Sequence, residues 1–107
     1  MDSFSQHYDK TIRNLDDSLS SFIDSGSDFE LEKNGDVLVI SFTDGSKFII
    51  SPNSPVGQLW VSANYEGHRF NFHEAREAWI DEKSGEEFLS YLSRLLSEKL
   101  TGNISLG

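Results

Sequence analysis

Between Phe4 and Ile23 the apolar side chains Phe4, Tyr8, Ile12, Leu15, Leu19, Phe22 and Ile23 return every three or four residues. That spacing lines one face of an α-helix. Ser3 with Gln6 three places on has the form of a capping box, and Ser25-Gly26 supplies a stop, so the pattern predicts a helix over residues 3–24. The period then changes. Phe29 and Leu31 alternate with Asp28, Glu30 and Glu32, the signature of a strand with one wet face. Asn34-Gly35 turns the chain into a Val/Ile-rich strand from Asp36 to Phe42, because Asn-Gly supplies the positive φ that a tight hairpin needs.

Asp44-Gly45 makes a second hairpin into Phe48–Ile50, and Ser51-Pro52-Asn53-Ser54-Pro55 is expected to break that strand, since proline cannot donate to a ladder. Gln58 to Asn64 is the next strand, with Leu59, Val61 and Ala63 on one side and Gln58, Trp60, Ser62 and Asn64 on the other. A turn at Glu66-Gly67 leads to two short strands, Arg69–Phe72 and Ala78–Ile80. Ser84 with Glu87 reads as a second capping box. The helix starting there carries Phe88, Leu92, Leu95 and Leu96 as its stripe, Lys99 in its last turn and Gly102 as its stop. Helix, five or six antiparallel strands, helix: the order predicts a single α+β domain over residues 1–107. Its architecture is a two-layer sandwich with both helices on one face of the sheet.

Composition narrows the chemistry. An apolar fraction of 36% suits one packed core, and no apolar run approaches the roughly 20 residues of a membrane span. The N-terminus MDSFSQHYDK has neither the basic flank and apolar stretch of a secretory signal nor the arginines of a transit sequence, which predicts a cytoplasmic protein. With no cysteine, thiolate chemistry and Cys-based metal ligation are out. A net charge of −9 opposes binding to nucleic acid, and favours a monomer in the absence of metal.

The charge is uneven, with nine acids against three bases in residues 1–36. At about 100° per residue, Asp9 and Asp16 fall within about 20° of each other, as do Asp17 and Asp24, away from the apolar stripe. Asp28, Glu30 and Glu32 extend this acidic ridge onto the first strand. Carboxylates are hard ligands for weakly held, partly hydrated Fe, Mn, Mg or Ca ions. Acids on a helix face are also often merely solvated, and acids on a strand serve to discourage strand addition; on these residues alone both readings stand. His7, His68 and His73 show no paired metal-ligand spacing and read as surface histidines. His7, a turn from the ridge, is kept as a ligand candidate. Trp60 on the polar side of its strand, near Gln58 and Arg69, is a contact candidate, because Trp and Arg are enriched at binding hot spots. No nucleophile motif is present.

The segments NGDVLVISFTDGSKFII, then Pro55-x-x-Gln58-Leu59-Trp60-Val61-Ser62, then AWIDEKSGEEF resemble the bacterial frataxins of the CyaY type over nearly the whole chain. That resemblance implies the same α-β sandwich, a role in iron–sulfur cluster assembly, and iron (Fe2+ or Fe3+) bound weakly through Asp9, Asp16, Asp17, Asp24, Asp28, Glu30 and Glu32, with other divalent cations able to substitute. It also implies two partners, a cysteine desulfurase and an iron–sulfur scaffold protein. The first meets the acidic face, including Asp16, Asp17, Glu30 and Glu32, while Gln58, Trp60 and Arg69 contact the assembly complex from the sheet. The chain departs from the family pattern at Ser20 and Ser21, a stretch often acidic in bacterial members, and at Ser51-Pro52-Asn53, which replaces Asn-x-Gln. The expected function is that of a binding regulator and not an enzyme. The alternatives are ferroxidase and iron-storage activity at the ridge, and an acidic interaction module that works without metal. The ferroxidase alternative is weakened by the absence of a Glu-x-x-His motif.

Overall fold

The computed structural model describes residues 3–100 and 104–106. Helix α1 (Ser3–Asp24) is followed by strands β1 (Phe29–Asn34), β2 (Val37–Phe42), β3 (Lys47–Asn53), β4 (Gln58–Ala63), β5 (Glu66–His73) and β6 (Ala78–Asp81), then helix α2 (Phe88–Leu100). The six strands form one antiparallel sheet in chain order.

Both helices lie on the same face. Tyr8, Ile12, Leu15 and Leu19 from α1 and Phe88, Leu92 and Leu96 from α2 join Leu38, Ile40, Phe48, Ile50, Leu59, Val61 and Phe70 of the sheet in one buried core. The expected two-layer sandwich is therefore present. Trp79 is part of this core, and its Nε1–H donates to Thr11 Oγ1 at 2.8 Å. The Tyr8 hydroxyl donates to Asp36 O at 2.6 Å, tying α1 to the first hairpin.

Helix α1 ends where Ser25-Gly26 predicts. Gly26 takes φ +105°, its N–H donates to Ile23 O, and the Ser27 N–H donates to Phe22 O, the paired bonds of a Schellman motif.

Three expectations need correction. Strand β3 does not break at Ser51-Pro52: it runs to Asn53, with Pro52 opposite Leu59. Strand β2 pairs with β3 only as far as Ile50, so Pro52 has a strand on one side only, the edge position in which a missing N–H is tolerated. The chain turns at Asn64-Tyr65 and not at Glu66-Gly67; both residues have positive φ (52° and 66°), which closes a two-residue hairpin between the paired Ala63 and Glu66. Helix α2 begins at Phe88, because Glu87 itself caps it, accepting from Leu89 N–H at 2.7 Å and Ser90 N–H at 3.3 Å. Gly102, the expected stop, lies outside the described residues.

Candidate functional site

Helix α1 packs beside β1, the edge strand, so the acids of both elements gather along one border of the molecule. Asp9, Asp17, Asp24, Asp28, Glu30 and Glu32 are exposed and Asp16 is half-buried. Strand alternation divides them. Phe29 and Leu31 point to the helices, so Glu30 and Glu32 stand on the helix-free face of the sheet while the α1 acids stand in the helix layer.

Among the described residues none of these seven carboxylates has an ion-pair partner, and neither do Lys10, Arg13 and Lys33 beside them. Elsewhere Asp44, Asp81, Glu82 and Glu86 each sit beside a cationic group or a histidine. Among the described residues the ridge is therefore a strip in which seven acids outnumber three neighbouring bases and none is ion-paired. Among the described residues no three His, Cys, Asp or Glu side chains converge as a ligand group. The arrangement fits a hydrated cation held by one or two carboxylates and does not form a closed cage.

His7 does not join this strip. Its ring stacks on Phe72 of β5 (centroids 3.8 Å apart, 17° between planes), and its Nε2 lies 4.0 Å from Glu74 Oε1. It occupies the flank of α1 that faces β5. Two residues along a helix turn a side chain through about 200°, which is why proximity in sequence to Asp9 misleads.

The sheet residues do come together. Trp60 pairs with Arg69 across β4 and β5, and the guanidinium sits 5.1 Å from the indole centroid. The Trp60 Nε1–H donates to Gln58 Oε1 at 3.0 Å, and Gln58 Nε2 donates to Glu82 Oε1 at 2.9 Å and Asn71 Oδ1 at 3.2 Å. Glu82 Oε2 also lies 3.9 Å from Arg69 Nη1. Every polar atom of the indole has a partner, so the ring is held in one orientation on an otherwise open face. Glu30 and Glu32 share that face, three strands away, which at strand spacing is about 14 Å. One partner surface can span both.

Sequence reading missed Asn71 and Glu82, and it missed a pair at the end of β5 and β6. Asp81 is buried; its Oδ1 accepts from Lys83 N–H (2.8 Å) and Ser84 N–H (3.3 Å), and its Oδ2 lies 2.7 Å from His68 Nδ1. Burial pushes the Asp81 carboxyl up, but the hydrogen bonds from Lys83, His68 and Ser84 outweigh it and hold the group below the ordinary carboxylate range. The signal in the sequence was Asp81-Glu-Lys-Ser-Gly85, an Asp-led turn closed by a glycine, here with φ +76°.

Comparison with known proteins gives one answer. The family model of the frataxin-like domain matches residues 1–102. An iron-sulfur cluster assembly protein CyaY from Pseudoalteromonas atlantica is 33% identical over 96 residues, 90% of this chain and 84% of the relative. Proteins of the same name from Colwellia psychrerythraea and Psychromonas ingrahamii are 35% identical over 83 residues (78% and 76% of the two chains) and 31% identical over 90 (84% and 81%). A solved frataxin structure from Psychromonas ingrahamii superposes with a TM-score of 0.87 at 27% identity, covering 98% of this chain and 95% of that one. No helix among the described residues is long and apolar enough to cross a membrane. With the two-helix, six-strand sandwich and the matching family model, the chain belongs to the frataxin-like family, in its bacterial CyaY-type branch.

Proposed function

We propose that this chain is a cytoplasmic regulator and adaptor of iron–sulfur cluster assembly that binds iron weakly on its acidic ridge and docks that ridge on a basic surface of the cysteine desulfurase. The observation that carries the reading is the strip of seven carboxylates without ion-pair partners along α1 and β1. The names of the curated relatives support the assembly role alone. Unpaired acids repel one another and gain no ion-pair energy within the fold, which suits a strip that meets a positive surface from outside. Complementary charge speeds encounter and makes it sensitive to salt.

In this reading Asp16, Asp17, Glu30 and Glu32 supply the steering. Gln58, Trp60 and Arg69 supply a fixed aromatic contact for the assembly complex, including its scaffold protein, on the same face as Glu30 and Glu32. Iron is cargo, held by one or two carboxylates with waters retained, so it exchanges readily. The protein acts by binding and carries no catalytic role.

The test is titration of metal-free protein with purified cysteine desulfurase at low and high salt, using wild type, Asp16→Lys/Asp17→Lys and Trp60→Ala. The expected result is binding that weakens with salt, is lost on charge reversal, and weakens in Trp60→Ala with its salt dependence unchanged. Absence of binding at low salt by folded wild-type protein overturns the reading. Equal affinity of the ridge for Mg2+ and Fe2+ replaces it with that of an acidic module for which iron is incidental.

A further inference from the structure

A cavity of about 670 Å³ opens at the end of β4 and β5 away from the acidic ridge, and His68, Glu66, Asp81, Glu82, Lys83 and Arg69 are among the residues on its wall. Two features of that wall go together. The Asp81 carboxylate is fixed by two backbone N–H groups on one oxygen and presents the other to His68 Nδ1 at 2.7 Å. A carboxylate oxygen only accepts, so Nδ1 carries the proton and the lone pair of the neutral ring sits on Nε2. The ring is packed 4.8 Å from the Tyr91 ring, and Nε2 lies 3.9 Å from Glu66 Oε2.

A buried carboxylate that orients an imidazole, with the free nitrogen turned toward a second carboxylate, is the outer and inner shell of a transition-metal site. We infer that His68 Nε2 and Glu66 form a two-ligand site for a borderline divalent transition-metal ion, with water in the remaining positions and Asp81 as the positioning residue.

The geometry asks for little movement. Metal bonds of roughly 2.0–2.2 Å set neighbouring ligand atoms about 3–3.5 Å apart, and the Glu66 side chain, 74% exposed, closes the difference by rotation. Lys83 and Arg69 also line the cavity, but Glu66, Asp81 and Glu82 outnumber them, and Arg69 is engaged by Trp60 and Glu82. The imidazole gives this site a selectivity that carboxylates alone lack: it favours ions of the Fe2+, Co2+ and Zn2+ group over Mg2+ and Ca2+. The inference does not rest on desulfurase docking, and its site lies apart from the ridge.

The experiment is long-range 1H–15N NMR of the histidine rings in the full chain, titrated with Zn2+ and Co2+ and, as a control, Mg2+. His68 Nε2 is expected to shift with Zn2+ and broaden with Co2+ at substoichiometric metal, before His73 responds, and to ignore Mg2+. Glu66→Gln is expected to raise the midpoint several-fold. Asp81→Asn keeps an oxygen for Lys83 and Ser84 but offers an N–H to His68; it is expected to move the ring proton from Nδ1 to Nε2 and to weaken Zn2+ binding at least about 10-fold. Equal response of His68 and the exposed His73, or a wild-type His68 ring already protonated at Nε2, overturns the inference. So does an unchanged midpoint in folded Glu66→Gln, which decides the matter if Asp81→Asn does not fold.

Discussion

Replacing Asp81 is the sharpest test of how this fold holds the turn between β6 and α2. The side chain is 3% exposed and accepts from Lys83 N–H, Ser84 N–H and the His68 ring. Asp81→Ala leaves all three donors without their acceptor. Hydrogen bonds to charged groups contribute roughly 1.5–3 kcal/mol each. Lys83 and Ser84 are exposed, so water recovers part of the loss. A net cost of about 3 kcal/mol remains, or roughly 10–20 °C in Tm for a domain of this size. Asp81→Asn preserves an oxygen for the two backbone donors and is expected to cost about 1 kcal/mol. Urea unfolding followed by far-ultraviolet circular dichroism measures both.

The sign with pH is fixed by the direction of the shift. The Asp81 carboxyl is held below its ordinary value in the folded state, so its contribution is complete above the unfolded carboxylate range near 4 and is lost as pH falls through the folded value. The stability gap between wild type and Asp81→Asn should therefore shrink as pH falls below about 4. An Asp81→Ala variant within about 0.5 kcal/mol of wild type, or a gap that does not change between pH 7 and 3, refutes the account of this turn.

Other outcomes follow from single contacts. Tyr65 is fully exposed with φ 66°, a region that costs an L-residue about 1–2 kcal/mol; Tyr65→Gly is expected to raise the urea midpoint by about 0.5–1 kcal/mol of stability after the added chain entropy, and a fall would contradict the hairpin geometry. Lys99 Nζ lies 2.7 Å from Asp44 Oδ2 and over the Phe42 ring. The Lys99 hydrogen bond, with those of Ser46, holds the Asp44 carboxyl well below the usual range, so in Lys99→Met its NMR titration should move up toward the ordinary value. Tyr8→Phe leaves Asp36 O without its 2.6 Å donor and should cost about 1 kcal/mol by urea unfolding with the m-value unchanged.

Much of the fold was legible because each element carries its own period. Helix α1 announces itself by Tyr8, Ile12, Leu15 and Leu19, all buried, and ends at the glycine that the sequence offers. What was not legible depends on register. Placing the β4–β5 turn at Glu66-Gly67 would set Trp60 opposite His73; the observed turn at Asn64-Tyr65 sets it opposite Arg69. The two registers differ by an even number of residues, so the inward and outward faces are the same in both. That is why Leu59, Val61 and Ala63 were placed on one side correctly and Gln58 and Arg69 were named beside Trp60, while the direct cross-strand pairing of Trp60 with Arg69 and the contact of His68 with Asp81 were not legible. No glycine marks the true turn, and an Asn-Tyr pair with both φ values positive has no strong local signature. The ridge acids were legible as a charge excess, whereas their division between two faces and the departure of His7 toward Phe72 required the third dimension.

The acids of β1 carry two burdens that a test must separate. Among the described residues the strand is a sheet edge, paired only with β2, and it contains no proline. Its unpaired backbone groups would template addition of another strand, and charged side chains such as Glu30 and Glu32 are a standard defence. Replacing them with alanine would remove a docking charge and that defence together, so lost partner binding could reflect self-association. Lysine at the same positions reverses the charge seen by a basic partner yet keeps the edge blocked. Glu30→Lys/Glu32→Lys should therefore remain monomeric in sedimentation while losing salt-sensitive desulfurase binding. A variant that stays monomeric and still binds with the wild-type salt dependence would move the docking surface off β1 and leave its carboxylates with the edge as their only role.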